Sequence, residues 1–196
     1  MLGVQDREGR LGWALFFLDS GDYPKTPEEA AWSGSTYDWI RAEQGAWLKA
    51  AAAAEELRGV PKIAFHHIPL FEHRAAAAAC EAGAWADPGC VGVKQEDVCS
   101  PDVNGGAAVA LAEAGIAASF VGHDHTNDFC SPWDGLALCF GGGTGYHGYG
   151  KAGWARRARG ARVLELGSGG GLRTWKVVDT GAGGPHRTID EQVLIA

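Results

Sequence analysis

Apolar residues along this chain fall first into short unbroken runs separated by polar loops, then into shorter alternating stretches toward the end. Trp13-Ala14-Leu15-Phe16-Phe17-Leu18 is one such run, closed by Asp19-Ser20-Gly21-Asp22-Tyr23-Pro24, and predicts a buried strand entering a loop. From Asp38 to Arg58, Trp39, Ile40, Trp47, Leu48 and Leu57 recur near helical spacing, and Gly59 with Pro61 supplies the stop. Lys62-Ile63-Ala64-Phe65-His66-His67 predicts a second buried strand running into Ile68-Pro69-Leu70. Residues 72–102 show no clear period and are expected to form a long surface excursion over the strand ends. Asn104 to Ala114 then predicts a helix, and Ala117 to Val121 a third buried strand that ends at Gly122-His123-Asp124-His125.

After this point the pattern changes. Gly135 to Gly141 and Ala161 to Leu166 are expected strands, the latter joined through Gly167 to Gly171 to a hairpin partner at Leu172 to Val178. Strand-helix-strand units followed by hairpins predict a two-sheet α/β sandwich in one domain spanning residues 1–196. The length and 46% apolar content supply the core for it. A net charge of -7 argues against nucleic acid as a partner, because phosphate neutralisation calls for a lysine and arginine excess. No apolar run is long enough for a bilayer and the first residues lack the regions of a leader, so no membrane partner is expected. The five cysteines contain no CxxC pair. Cys130 and Cys139 flank Ser131-Pro132-Trp133-Asp134-Gly135, which fits either a cross-hairpin disulfide worth roughly 2 to 3 kcal/mol or two small buried apolar residues.

In open α/β folds ligands bind beyond the carboxyl ends of the strands, and three strands here deliver Asp19 with Asp22, His66 with His67, and His123 with His125 to such ends. Imidazole is a common ligand for zinc, iron and manganese, and Gly-His-Asp-His after an apolar strand points to metal ligation. Asp19 and Asp22 read as loop-capping residues rather than ligands. Gln95 and Glu96 are expected near the mouth of the site, touching substrate or loop backbone. Gly145 to Ala152 nearly spells a phosphate-binding P-loop but fails chemically, since Ala152 lacks the hydroxyl that holds magnesium. His147, within that glycine-rich stretch, either faces substrate or fills the loop. Arg156, Arg157, Arg159 and Arg162 are expected to be solvated edge residues at the entry to an exposed hairpin.

Phe65-His66-His67-Ile68-Pro69-Leu70 resembles the histidine-x-proline motif of calcineurin-like metallophosphoesterases, and Val121-Gly122-His123-Asp124-His125 their glycine-histidine-x-histidine motif, in the same order. Phe17 to Tyr23, Tyr37 to Ile40, Gly122 to Cys130 and Gly141 to Arg159 are similar to the short, single-domain purple acid phosphatases. The resemblance implies an α/β/β/α two-sheet sandwich and a binuclear centre of iron with zinc, manganese or a second iron. His67 and His123 would bind one metal and His125 the other, with His66 a neighbour; His66, His147 and Glu96 are candidates for the substrate side. The family's upstream aspartate-x-histidine, glycine-aspartate and asparagine-histidine motifs do not occur before Leu15. The chain is therefore expected to be the C-terminal half of a truncated domain, with an incomplete site, no catalytic residue of its own, and little or no activity. A longer parent is expected to be a secreted or vacuolar hydrolase of phosphomonoesters, with a small phosphate ester or a phosphoprotein as partner. The alternative is a noncatalytic pseudophosphatase or protein-binding module on the same scaffold. A third reading, one zinc ion held by His67, His123 and His125, requires all three to point at one atom.

Overall fold

The computed structural model describes residues 1–145, 148–150, 159–179 and 184–196. The chain is mixed α/β. Its elements are β1 (Leu2–Gln5), β2 (Leu11–Phe17), α1 (Pro27–Ser33), α2 (Ala42–Ala52), β3 (Lys62–Phe65), α3 (Glu72–Ala82), α4 (Ala107–Glu113), β4 (Ile116–Val121), β5 (Cys130–Trp133), β6 (Leu136–Phe140), β7 (Gly160–Leu166), β8 (Leu172–Val178) and β9 (Arg187–Ile195). Six strands form one sheet in the order β1-β2-β3-β4-β6-β5, and β7-β8-β9 form a second. Strands β2, β3, β4 and β6 run parallel, with antiparallel β1 and β5 at the edges. Parallel alignment puts the segments after β2, β3, β4 and β6 along a single sheet edge, where ligands bind in such folds.

The parallel strands are nearly continuous apolar runs because both faces are covered. On one face Ala14, Phe16, Ala64 and Leu138 pack with Leu48 of α2 and Leu111 of α4. On the other, Trp13, Ile63, Ala118 and Phe120 pack with Leu172 of β8 and with Leu164 and Leu166 of β7. Trp13 also donates its indole N–H to the Gly167 carbonyl at 2.9 Å, which ties the two sheets together. Among the described residues no helix is long and apolar enough to cross a membrane.

Several local expectations change. The stretch 72–102 opens with an 11-residue helix, α3, rather than a structureless excursion. Alanine is the strongest helix former, and Ala76, Ala77 and Cys80 fall on one buried face. A Cys80–Cys90 disulfide then returns the chain from the helix end. The helix expected from Asp38 to Arg58 starts only at Ala42 and gives way to a 3-10 turn at Glu55–Leu57. Asp38 accounts for the late start, because its carboxylate accepts the Trp39 N–H and pairs with Arg41, a local alternative to helix bonding. Cys130 and Cys139 are register partners in the β5–β6 hairpin and form a disulfide.

The arginine expectation is also overturned at two positions, while Arg156 and Arg157 lie outside the described residues. Arg159 is buried and donates to the carbonyls of Gly148 and Tyr149. Arg162 donates to the Phe140 carbonyl at 2.8 Å, the Asp128 carbonyl at 2.7 Å and Thr174 Oγ1 at 3.1 Å. Burial lowers its pKa to about 10, against the charges of Asp128 and Asp190. These carbonyls repay the arginines for leaving water, which an exposed hairpin edge would not require.

Candidate metal centre

The loop after β2 is shaped by Gly21, whose φ is +69° and whose added Cβ would stand 2.4 Å from Asp38 Oδ2. Asp19 accepts the Gly21 N–H at 2.9 Å, a local turn bond in keeping with a capping role. Ser20 is buried, and its Oγ accepts the backbone N–H groups of His67 at 3.2 Å and Ile68 at 2.9 Å. That pair of bonds fixes where the chain leaves β3.

Consecutive residues then diverge. His66 turns inward, with Nδ1 at 2.8 Å from the Ile68 carbonyl and Nε2 at 2.7 Å from Ser119 Oγ. Burial lowers its pKa to about 4, against the bond to Ile68. His67 turns toward the loop after β4, and its ring centroid lies 5.4 Å from that of His123. Burial, followed by the charges of His123 and His125, lowers the His67 pKa, while Asp22 and Asp124 oppose this. The shift favours the neutral ring, the form that offers a lone pair to a cation.

His123 has a φ of 65°, uncommon for a residue with a side chain. Its Nδ1 lies 3.0 Å from Asp124 Oδ1, and Tyr37 meets its ring edge-on at 4.6 Å. Asp124 is fully buried and its other oxygen accepts the Cys99 N–H at 3.2 Å and Asn127 Nδ2 at 3.0 Å. Burial raises the Asp124 pKa despite those donors. A carboxylate holding one imidazole nitrogen is the arrangement that orients metal-binding histidines. His125 is stacked on Tyr149, centroids 4.1 Å apart and planes 10° from parallel. Tyr149 Oη accepts the His125 N–H at 2.9 Å and lies 3.1 Å from Glu96 Oε1, and burial pushes the phenol up to about 12. Glu96 also accepts the Thr126 N–H at 2.7 Å, so between its two expected roles the structure shows the loop contact. His147 lies outside the described residues.

His67, His123 and His125 do not bring three nitrogens within 4.8 Å of one another. The single-atom tris-histidine arrangement is therefore not formed. Among the described residues, the trio of histidine, cysteine and carboxylate donors that meets this spacing is Cys99, His123 and Asp124. Sequence reasoning passed over both partners, one as the variable position of a histidine motif and the other as part of the excursion. The oddness of five cysteines was the available signal for Cys99. Burial, then the neighbouring Asp124, pushes the Cys99 thiol up to about 11.

A mixed α/β sheet with histidines gathered at the ends of parallel strands belongs to the architecture of phosphoesterases. No family model matches the chain. It is 35% identical over 216 residues to a protein named probable inactive purple acid phosphatase 14 of Arabidopsis thaliana, covering 95% of this chain and 49% of the relative. It is 38% identical over 200 residues to probable inactive purple acid phosphatase 29 of the same plant, covering 92% and 47%. A phosphatase of Saccharomyces cerevisiae, DCR2, is 29% identical over 196 residues, covering 97% and 32%. Over the span it covers, the chain is similar to proteins of the purple acid phosphatase family. It spans about half the length of the two plant relatives.

Proposed function

We propose that this chain supplies the histidine-bearing part of a metal-dependent phosphomonoester hydrolase, acting on a small phosphate ester or a phosphoprotein. His67 and His123 would hold one metal and His125 the other. The observation that carries the reading is the meeting of His67 and His123, from the ends of separate parallel strands, at 5.4 Å between ring centres. The donor set fits a cation in part: neutral imidazole suits iron, zinc and manganese, but three imidazoles without a bridging carboxylate make an incomplete cage. When bound, two metal ions in such a site offset phosphoryl charge and lower the pKa of a bound water. The residues of this chain contribute orientation: Asp124 and Tyr37 fix the His123 ring, and Tyr149 with Glu96 fixes His125. Two disulfides suit an oxidising compartment, in line with a secreted or vacuolar parent. The two sheets would form part of a two-sheet α/β sandwich.

The 196-residue chain alone is expected to bind zinc, manganese or iron weakly and to hydrolyse an aryl phosphate little or not at all. Calorimetric metal titration and a turnover assay on the purified chain test both statements. Robust metal-dependent hydrolysis would refute the incomplete-site reading, and absence of any metal binding would refute the metal centre itself. A noncatalytic binding role is the second reading, favoured by the word inactive in the names of both plant relatives.

A further inference from the structure

We propose that Cys99, His123 and Asp124 form a metal site with a thiolate in its donor set, suited to zinc rather than to iron or manganese. It shares His123 with the centre described above but stands or falls separately. Two segments meet to make it. Cys99 comes from the loop that follows the Cys80–Cys90 disulfide, and His123 with Asp124 from the turn after β4. One donor atom from each of the three lies within 4.8 Å of the other two. A tetrahedral zinc with bonds of about 2.0 to 2.3 Å needs donor separations of roughly 3.3 to 3.8 Å. The trio therefore needs to contract by about 1.5 Å at most, within reach of side-chain rotation at a half-buried cysteine.

The surroundings hold these donors in place. Asn127 donates Nδ2 to Asp124 Oδ2 at 3.0 Å, and its Oδ1 accepts the N–H groups of Gln95 at 3.0 Å and Glu96 at 3.2 Å. One side chain thus fastens the cysteine-bearing loop to the carboxylate. The Cys99 N–H to Asp124 bond adds a second fastening beside the thiol itself. Such supporting bonds around ligands are what metal sites use to fix orientation. The left-handed backbone at His123 is a cost that is retained where the surrounding structure requires it, and it sets the ring beside Asp124. Glu96 and Asp97 precede the cysteine closely in sequence and add negative charge that favours a cation. Cys99 is also the cysteine left reduced while the other four pair.

The chemistry balances simply. As the ion binds, a metal–sulfur bond forms, the S–H bond breaks, and its proton passes to solvent. A soft thiolate beside imidazole and carboxylate favours zinc, and admits cobalt as a spectroscopic substitute.

The test uses the whole chain, freed of metal with a chelator and never exposed to a thiol reductant. Titration with Co(II) is expected to give a near-ultraviolet sulfur-to-cobalt charge-transfer band, which Zn(II) abolishes. Cys99→Ser should remove the band and weaken zinc binding by at least about tenfold. His67→Ala and His125→Ala should leave the band in place. Zinc should also protect Cys99 from alkylation, read by mass spectrometry on the unaltered chain, which serves if the serine variant does not fold. Cobalt bound without a charge-transfer band, or alkylation equally fast with and without zinc, overturns the proposal. If His67→Ala or His125→Ala then abolishes binding, the imidazole centre survives without the thiolate. Loss of the band on Cys99→Ser, with zinc affinity unmoved by His67→Ala and His125→Ala, supports the thiolate site and counts against the imidazole one.

Discussion

The interior histidines His66 and His73 and the cleft histidines His67 and His123 are close neighbours in this fold, yet their surroundings differ in kind. His66 has both nitrogens engaged within the sheet, and His73 is fully buried against Phe140, its Nδ1 accepting the Leu70 N–H at 3.0 Å. His67 and His123 retain partial exposure and face each other across an open strand end. A histidine next to a recognised motif is thus no guide to chemistry by itself. What separates the two sets is burial: His66 and His73 are enclosed in the interior, whereas His67 and His123 open onto the strand ends.

Variants that exchange these environments test the comparison. The largest effect is expected for His73→Ala, which opens a cavity under α3 and strands the Leu70 N–H, at a cost of about 2 to 4 kcal/mol. Chemical denaturation would show it as a lower midpoint with an unchanged slope; a midpoint like that of the parent chain contradicts a structural role.

Acid should expose the same contrast. Burial, then the charge of His66, holds the His73 pKa well below 6.5, while the bond to Leu70 opposes this. Above pH 6.5 the ring is neutral both folded and unfolded, so its full contribution is present. As pH falls below 6.5 the unfolded chain takes up the proton first, and stability is lost until the folded pKa is passed. His73 packs on the rings of His66 and Phe140 and bonds the Leu70 amide. Melting temperatures from pH 7.5 downward should therefore fall more steeply for the parent chain than for His73→Gln, and parallel profiles would count against this account.

A smaller change is expected for Tyr149→Phe, which removes the hydroxyl shared by the His125 amide and Glu96 and should cost about 1 kcal/mol. Its melting curve measures that, and an equal effect in a Glu96→Gln background would show that the two do not act together. The least effect belongs to His67→Ala, expected to stay within about 0.5 kcal/mol of the parent because the ring supports little packing. A loss comparable to that of His73→Ala would erase the distinction between the two sets.

The parallel strands were legible because continuous apolar runs bounded by polar residues have few other readings, and the placement of His67 and His123 followed from them. Helix α3 was not legible, since a run of alanines carries strong propensity but no alternation from which a buried face can be read. Strands β1 and β9 lie at sheet edges and mix polar with apolar residues, so their pairing depends on neighbours distant in sequence. Cys99 and Asp124 were missed for a related reason: their proximity depends on Asn127 closing a loop, which spacing along the chain does not encode.

One guanidinium joins three regions of the molecule. Arg162, on β7, grips the end of β6, the Asp128 carbonyl just beyond the histidine turn, and Thr174 of β8. Lys176 of β8 adds a second grip on Asp128 at 2.7 Å. The small sheet therefore cannot shift as a slab without pulling on the turn that carries His125. Mechanical stress applied far from the cleft is transmitted there through a handful of stiff polar links, and the seating of the small sheet sets how that ring is aimed.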